Sequence, residues 1–115
     1  MEERILRQGR ANLIVGKWFV DSGLGVLTNK RFVYFRARLS KILAMSARGG
    51  SVNLAQEEYA FDIPLSEIAS LSRGRRGLSK SILVITTKNG QQYKFAVIKY
   101  REWEISFRNA LESVA

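Results

Sequence analysis

Histidine and cysteine, the two residue types that carry most side-chain chemistry, do not occur in this chain. Without histidine, the commonest general base, the commonest metal ligand and the usual neutral-pH switch are missing. Without cysteine there is no disulfide, no thiolate nucleophile and no thiolate metal site. Carboxylates and lysines remain, but no spacing assembles a nucleophile with a base. No phosphate loop, dinucleotide fingerprint or calcium loop is present. Glu57, Glu58 and Asp62 could in principle meet a cation. Adjacent strand residues point to opposite faces, so a solvated acidic patch is the expectation there. The chain therefore reads as a binding module with no catalytic residues, no metal and no cofactor.

The residues that remain able to act are cations. Lysine and arginine total 19 against 10 acids, giving a formal charge of +9. Such an excess speaks to partners rather than to fold. Its distribution is uneven. No acid lies between Asp21 and Glu57, and none between Glu67 and Glu102, while cations are frequent in both intervals. Two groups stand out. Arg73, Arg75, Arg76 and Lys80 fall within Arg73–Lys80 (RGRRGLSK), where two glycines free backbone amides. Cations in that arrangement suit several phosphate oxygens at once, and near an anionic bilayer each could contribute about 1 kcal/mol. The bland alternative is a solvated loop that keeps the domain soluble. Arg38, Lys41 and Arg48 flank a small apolar set, Leu39, Ile42 and Leu43, at helical spacing. A short amphipathic turn of this kind can dip into a membrane interface, or it can cover the core or a second subunit. Aromatic residues also interleave with cations in Arg31–Arg36 (RFVYFR). That pattern could stack on single-stranded nucleic acid, but strand alternation sends half the rings inward, so core packing is preferred and nucleic acid is disfavoured.

Elements must position these groups. A chain of 115 residues fits one domain over 1–115, with an independent core. No stretch approaches the ~18 to 20 apolar residues of a membrane span. The charged first residues do not read as a secretory signal, so a cytoplasmic location is expected, including the inner face of a membrane. Most of the sequence is strand-like. Ala11–Val20 is rich in branched and aromatic residues, with a turn at Asp21–Gly23. Asn29 is a candidate left-handed turn residue before a strand over 31–38. Residues 39–58 break the pattern and form a long connection. Strands are expected over 59–65, 68–72, 81–87 and 92–98, with Arg73–Lys80 as a loop. Asn89-Gly90 predicts a tight type I′ hairpin. Tyr100, Trp103, Phe107, Leu111 and Val114 then fall on one stripe of a C-terminal helix.

The layout resembles the GRAM domain, a member of the pleckstrin-homology-like superfamily. The resemblance rests on Gly25-Val26-Leu27-Thr28-Asn29-Lys30-Arg31-Phe32-Val33-Tyr34-Phe35, which is similar to that family's Thr-Asn-Lys-Arg hairpin. Phe61-Asp62-Ile63-Pro64-Leu65-Ser66-Glu67-Ile68 is similar to its Ile-Pro-Leu strand end. The resemblance implies a mainly β fold: a seven-stranded, strongly bent antiparallel sandwich or partly open barrel, capped by a C-terminal helix. It also implies a non-catalytic module, since relatives bind phosphoinositides or other anionic lipids in some cases and proteins in others. Its motif residues serve the fold, so no ligand residue is carried over from them. Lipid-binding relatives often place cations around the first hairpin loop, where this chain has Lys17 and Asp21. The expected partner is an anionic membrane surface met by Arg73, Arg75, Arg76 and Lys80 with Arg38, Lys41 and Arg48. The alternative is an acidic protein, or a second copy of this chain, met without lipid.

Overall fold

The computed structural model describes residues 2–15, 19–36, 60–76 and 79–114, with only the backbone at Phe19, Arg76, Ser79 and Lys80. Eight strand segments appear: β1 (Ile5–Val15), β2 (Phe19–Asp21), β3 (Gly23–Thr28), β4 (Arg31–Arg36), β5 (Phe61–Pro64), β6 (Ile68–Arg76), β7 (Ser79–Thr87) and β8 (Gln92–Val97). A 3-10 turn, Leu65–Glu67, separates β5 from β6, and the helix α1 spans Tyr100–Val114. Only Ser22 divides β2 from β3, and both pair with β1, so the pair acts as one interrupted strand and the count becomes the expected seven.

All pairings are antiparallel, and the strand order is β5-β4-β3-β1-β8-β7-β6. β1 is the shared element. Its first half pairs with β3, and its second half pairs with β8 and β2. The sheet therefore bends across β1 and leaves β5 and β6 as its two edges. The helix fills the gap, packing on the 3-10 turn, β7, β1 and β3.

Alternation decides the core. In β8, Tyr93, Phe95 and Val97 point inward, as their spacing predicts. Both faces of β4 are buried: Phe32 and Tyr34 enter the main core, while Val33 and Phe35 join Leu24 and Val26 in a smaller one. Phe32 stands at the centre, 5.1 Å from Phe95, 5.3 Å from Phe107 and 6.1 Å from Trp103, centroid to centroid. Such ring pairs add about 0.5–1.5 kcal/mol beyond area burial. Gly25 makes room for this. A Cβ there would lie 2.8 Å from Phe32 Cζ, so no larger residue fits without moving the ring. On α1 the stripe holds for Tyr100, Trp103, Phe107 and the partly buried Leu111; Ala110 is buried as well, and Val114 is exposed.

Several expectations are corrected. Ala11–Val20 is not one strand. β1 begins at Ile5, and Val15 pairs with Phe19, so the chain reverses between them. The register of Leu13 with Asp21 draws β2 back along β1 and removes the expected turn at Asp21–Gly23. Arg73–Lys80 is not a loop: β6 and β7 run through it, with Gly74 opposite Ile82 and Arg76 opposite Ser79. Gly74 there lies in a ladder, and cross-strand pairing overrides the glycine signal. Asn89-Gly90 does not form a type I′ turn, which needs positive φ at both residues. Gly90 has φ of 89° and Asn89 does not share it. The loop is one residue longer, and Gly90 N–H donates to Thr87 O at 3.0 Å. Asn89 instead uses its side chain, accepting from Gln91 N–H at 3.2 Å. Asn29 is likewise not left-handed. The connection over 39–58 lies outside the described residues.

Candidate anion-binding surface

The cations divide into those that hold the fold and those that face solvent. Arg31 opens β4 and reaches back to the N-terminal segment. Its Nε donates to Glu3 Oε2 at 2.9 Å, its Nη2 to Glu3 Oε1 at 3.2 Å and its Nη1 to Asp62 at 3.0 Å. The fully buried Thr28 hydroxyl donates to the same Glu3 oxygen at 2.8 Å. Asn29 Oδ1 accepts from Arg4 N–H at 2.6 Å, and its Nδ2 donates to Glu2 O at 3.1 Å. The Thr-Asn-Lys-Arg turn is thus a clamp that ties the first residues and β5 to one hairpin. The Arg31 guanidinium, more than any other influence, holds the Glu3 carboxyl below its ordinary value.

Other cations are also engaged. Arg7 pairs with Glu102 at 3.4 Å and lies 5.2 Å over the Trp103 ring, which fastens α1 to β1. Arg36 lies 3.8 Å from Asp21. That carboxylate also accepts from the Tyr34 hydroxyl at 3.0 Å. Burial, and then this bond, push the Tyr34 hydroxyl far above its ordinary value, so it remains a donor. Asp21 and its partners occupy the region of the first hairpin.

The β6–β7 hairpin differs. Arg73 and Arg75 are two residues apart on the edge strand β6, and both are exposed. The Arg73 guanidinium lies 4.5 Å over the Tyr100 ring. Tyr100 in turn donates to Glu104 at 3.2 Å, and Arg108 lies 3.7 Å from that carboxylate. Desolvation, reinforced by Glu104, raises the Tyr100 hydroxyl above its ordinary value. Arg75 has no carboxylate partner among the described residues. Arg76 and Lys80 sit on either side of the hairpin turn by backbone position. Arg38, Lys41 and Arg48 lie outside the described residues.

Registers locate this hairpin. Ile82 pairs with Ala96, and Val97 pairs with Ala11, so the β6–β7 turn, the start of α1 and the middle of β1 share one end of the sheet. Three further cations reach that end: Arg10, Lys99 and Arg101, all exposed. None forms an ion pair among the described residues. Lys99 and Arg101 were marked only by the acid-free interval. Arg10 gave no signal because β1 appeared to begin one residue later. The carboxylates of the first helical turns, Glu102 and Glu104, are held by Arg7 and by Tyr100 with Arg108. The arrangement can neutralise phosphate or carboxylate groups spread over a surface. A shallow depression of about 390 Å³, lined by Leu13, Ile14, Gln92, Tyr93 and Lys94, belongs to the other end of β8.

Neither family models nor curated sequences match this chain. Solved structures do. The C-terminal domain of an unknown protein from Leishmania infantum superposes with a TM-score of 0.68 at 9% identity, covering 95% of this chain and 84% of that one. The N-terminal PH domain of human ARAP2 gives 0.62 at 17% identity over 95% and 81% of the two chains. The DH/PH fragment of PDZRHOGEF, solved in complex with human RhoA, gives 0.68 at 12% identity; it covers 96% of this chain and 29% of the other. At these identities the likeness defines the fold. The fold is that of a pleckstrin-homology domain: a bent, unclosed antiparallel sheet with one C-terminal helix among the described residues.

Proposed function

We propose that residues 1–115 form a single GRAM-type module that catalyses nothing and docks reversibly on an anionic membrane surface at the cytoplasmic face. The observation that carries this reading is the grouping of Arg73 and Arg75 with Arg10, Lys99 and Arg101 at one sheet end, where the nearby carboxylates are already engaged. Arg76 and Lys80 belong to the same hairpin. Arg38, Lys41 and Arg48 add to the surface on the strength of their spacing. The mechanism is charge neutralisation: cations of the domain replace mobile counterions at lipid headgroups, and salt weakens the contact. Among the described residues no helix is long and apolar enough to cross a membrane. Sedimentation with vesicles of neutral or acidic lipid, at low and high salt, tests the reading. Binding to acidic vesicles alone, lost with salt and lost in R75E/R76E, is expected. Equal binding by that variant would remove the hairpin from the contact.

A second reading is favoured by β6 itself. It is an edge of nine residues with one strand partner, β7, among the described residues. Edges of this length accept an added strand from a protein partner or a second copy. Light scattering separates the readings: a stable oligomer without affinity for acidic vesicles supports the second.

A further inference from the structure

Ile98 is the most exposed large apolar side chain among the described residues, at 66%. It lies one position beyond Val97, whose partner on β1 is Ala11, so the exposed Arg10 is its neighbour across the strands. Along the chain it precedes Lys99 and Arg101, both exposed. Lys99 has φ of 59°, the only left-handed residue other than glycine among those described. L-residues adopt that conformation only at an energetic cost. Here it turns the backbone from β8 into α1 within one residue. The Lys99 carbonyl then accepts the first helical bonds, from Glu102 N–H at 3.0 Å and Trp103 N–H at 3.3 Å. Val97 enters the core, so alternation turns Ile98 to the outer face of the sheet, beside Arg10 and next to Lys99 in the chain.

An exposed apolar side chain beside cations suits one environment in particular: the boundary of an anionic bilayer, where headgroups meet the charges and acyl chains accept the aliphatic tip. We propose that Ile98 is the inserting residue of this surface, entering the bilayer while Arg10, Lys99 and Arg101 engage acidic headgroups. The proposal rests on the docking reading and adds depth of insertion to it. Burying one isoleucine contributes about 1.5–3 kcal/mol, so Ile98→Ser is expected to weaken binding to acidic vesicles by about tenfold or more. Because Ile98 touches solvent, the variant should melt where the parent does.

The absence of cysteine allows a direct probe. Ile98→Cys carries a polarity-sensitive fluorophore at one defined place. Val15→Cys, at an exposed apolar residue near the far end of β1, is the control. Phosphatidylcholine vesicles with phosphatidylserine should shift the emission at position 98 to shorter wavelength and leave position 15 in water. Phosphatidylcholine alone should shift neither. If the parent sediments with acidic vesicles while the probe at 98 stays in water and Ile98→Ser binds as the parent does, insertion is refuted and electrostatic docking stands. If the parent does not sediment with acidic vesicles, both proposals fall.

Discussion

Two basic turns of this molecule put similar residues to opposite uses. In Thr28–Arg31 the arginine is held by Glu3 and Asp62 and is largely shielded from solvent. In the β6–β7 hairpin the exposed Arg73 rests on an aromatic ring and Arg75 has no described carboxylate partner. Residue type does not separate the two. What separates them is whether the fold returns an acid to the same place. The N-terminal segment and β5 bring Glu3 and Asp62 to Arg31. The chain from Ile68 to Arg101 holds no acid to bring. The first turn builds the domain, and the second keeps Arg75 exposed.

Charge reversal tests this division most strongly. R75E/R76E should reduce binding to acidic vesicles by about a hundredfold at low salt, since each reversal replaces attraction by repulsion. Its melting temperature should stay within about 1 °C of the parent. A large drop in melting temperature would mean that the hairpin, too, is structural. Arg31→Ala should behave in the opposite way. It leaves two carboxylates without their partner in a partly buried site, and urea unfolding should show a loss of about 2 kcal/mol, less than a fully buried pair would give. Vesicle binding by the folded fraction should be unchanged. Asn29→Ala removes two bonds to the N-terminal segment and should cost about 1 kcal/mol. Faster amide exchange confined to the first residues would sharpen the assignment of this turn as a clamp.

The smallest effect is a pH dependence. Glu3 has a depressed folded-state value relative to its ordinary 4.5. Its contribution is therefore present above that pH and is lost as pH falls through the lower, folded value. Glu3→Gln should flatten the acid limb of the stability profile, with no matching change in R75E/R76E. A profile unaltered by Glu3→Gln would argue that the clamp depends on backbone bonds instead.

Much of this architecture was legible because it follows from periodicity. The alternation of Tyr93, Phe95 and Val97 and the helical stripe from Tyr100 to Phe107 each have one face to bury, and the pattern states which. The strand ends were not legible, because pairing partners set them. β1 carries Arg7, Gln8, Gly9 and Arg10, a poor strand signal, yet β3 pairs with it there. Arg73–Lys80 reads as a loop in isolation and becomes two strands once β6 and β7 are in register. Within the candidate site the hairpin cations were visible as a cluster. Arg10, Lys99 and Arg101 were not, since nothing local indicates that residues so far apart share one sheet end. Ile98 was read as the last residue of an ordinary strand; alternation turns it away from the core that Val97 enters, and the left-handed Lys99 follows it.

The position of β1 bears on how the molecule is made. Its inner residues pair with β8, and Ala11 meets Val97 only after all the residues between them have been synthesised. β1 can pair with β2 and β3 early in synthesis, but its β8 side must wait. Proteins dominated by such distant pairings reach the native state in roughly milliseconds to seconds. During that interval the β8 side of β1 is an open edge, and the polar Arg10 and Asn12 on it make premature association with another nascent strand less favourable.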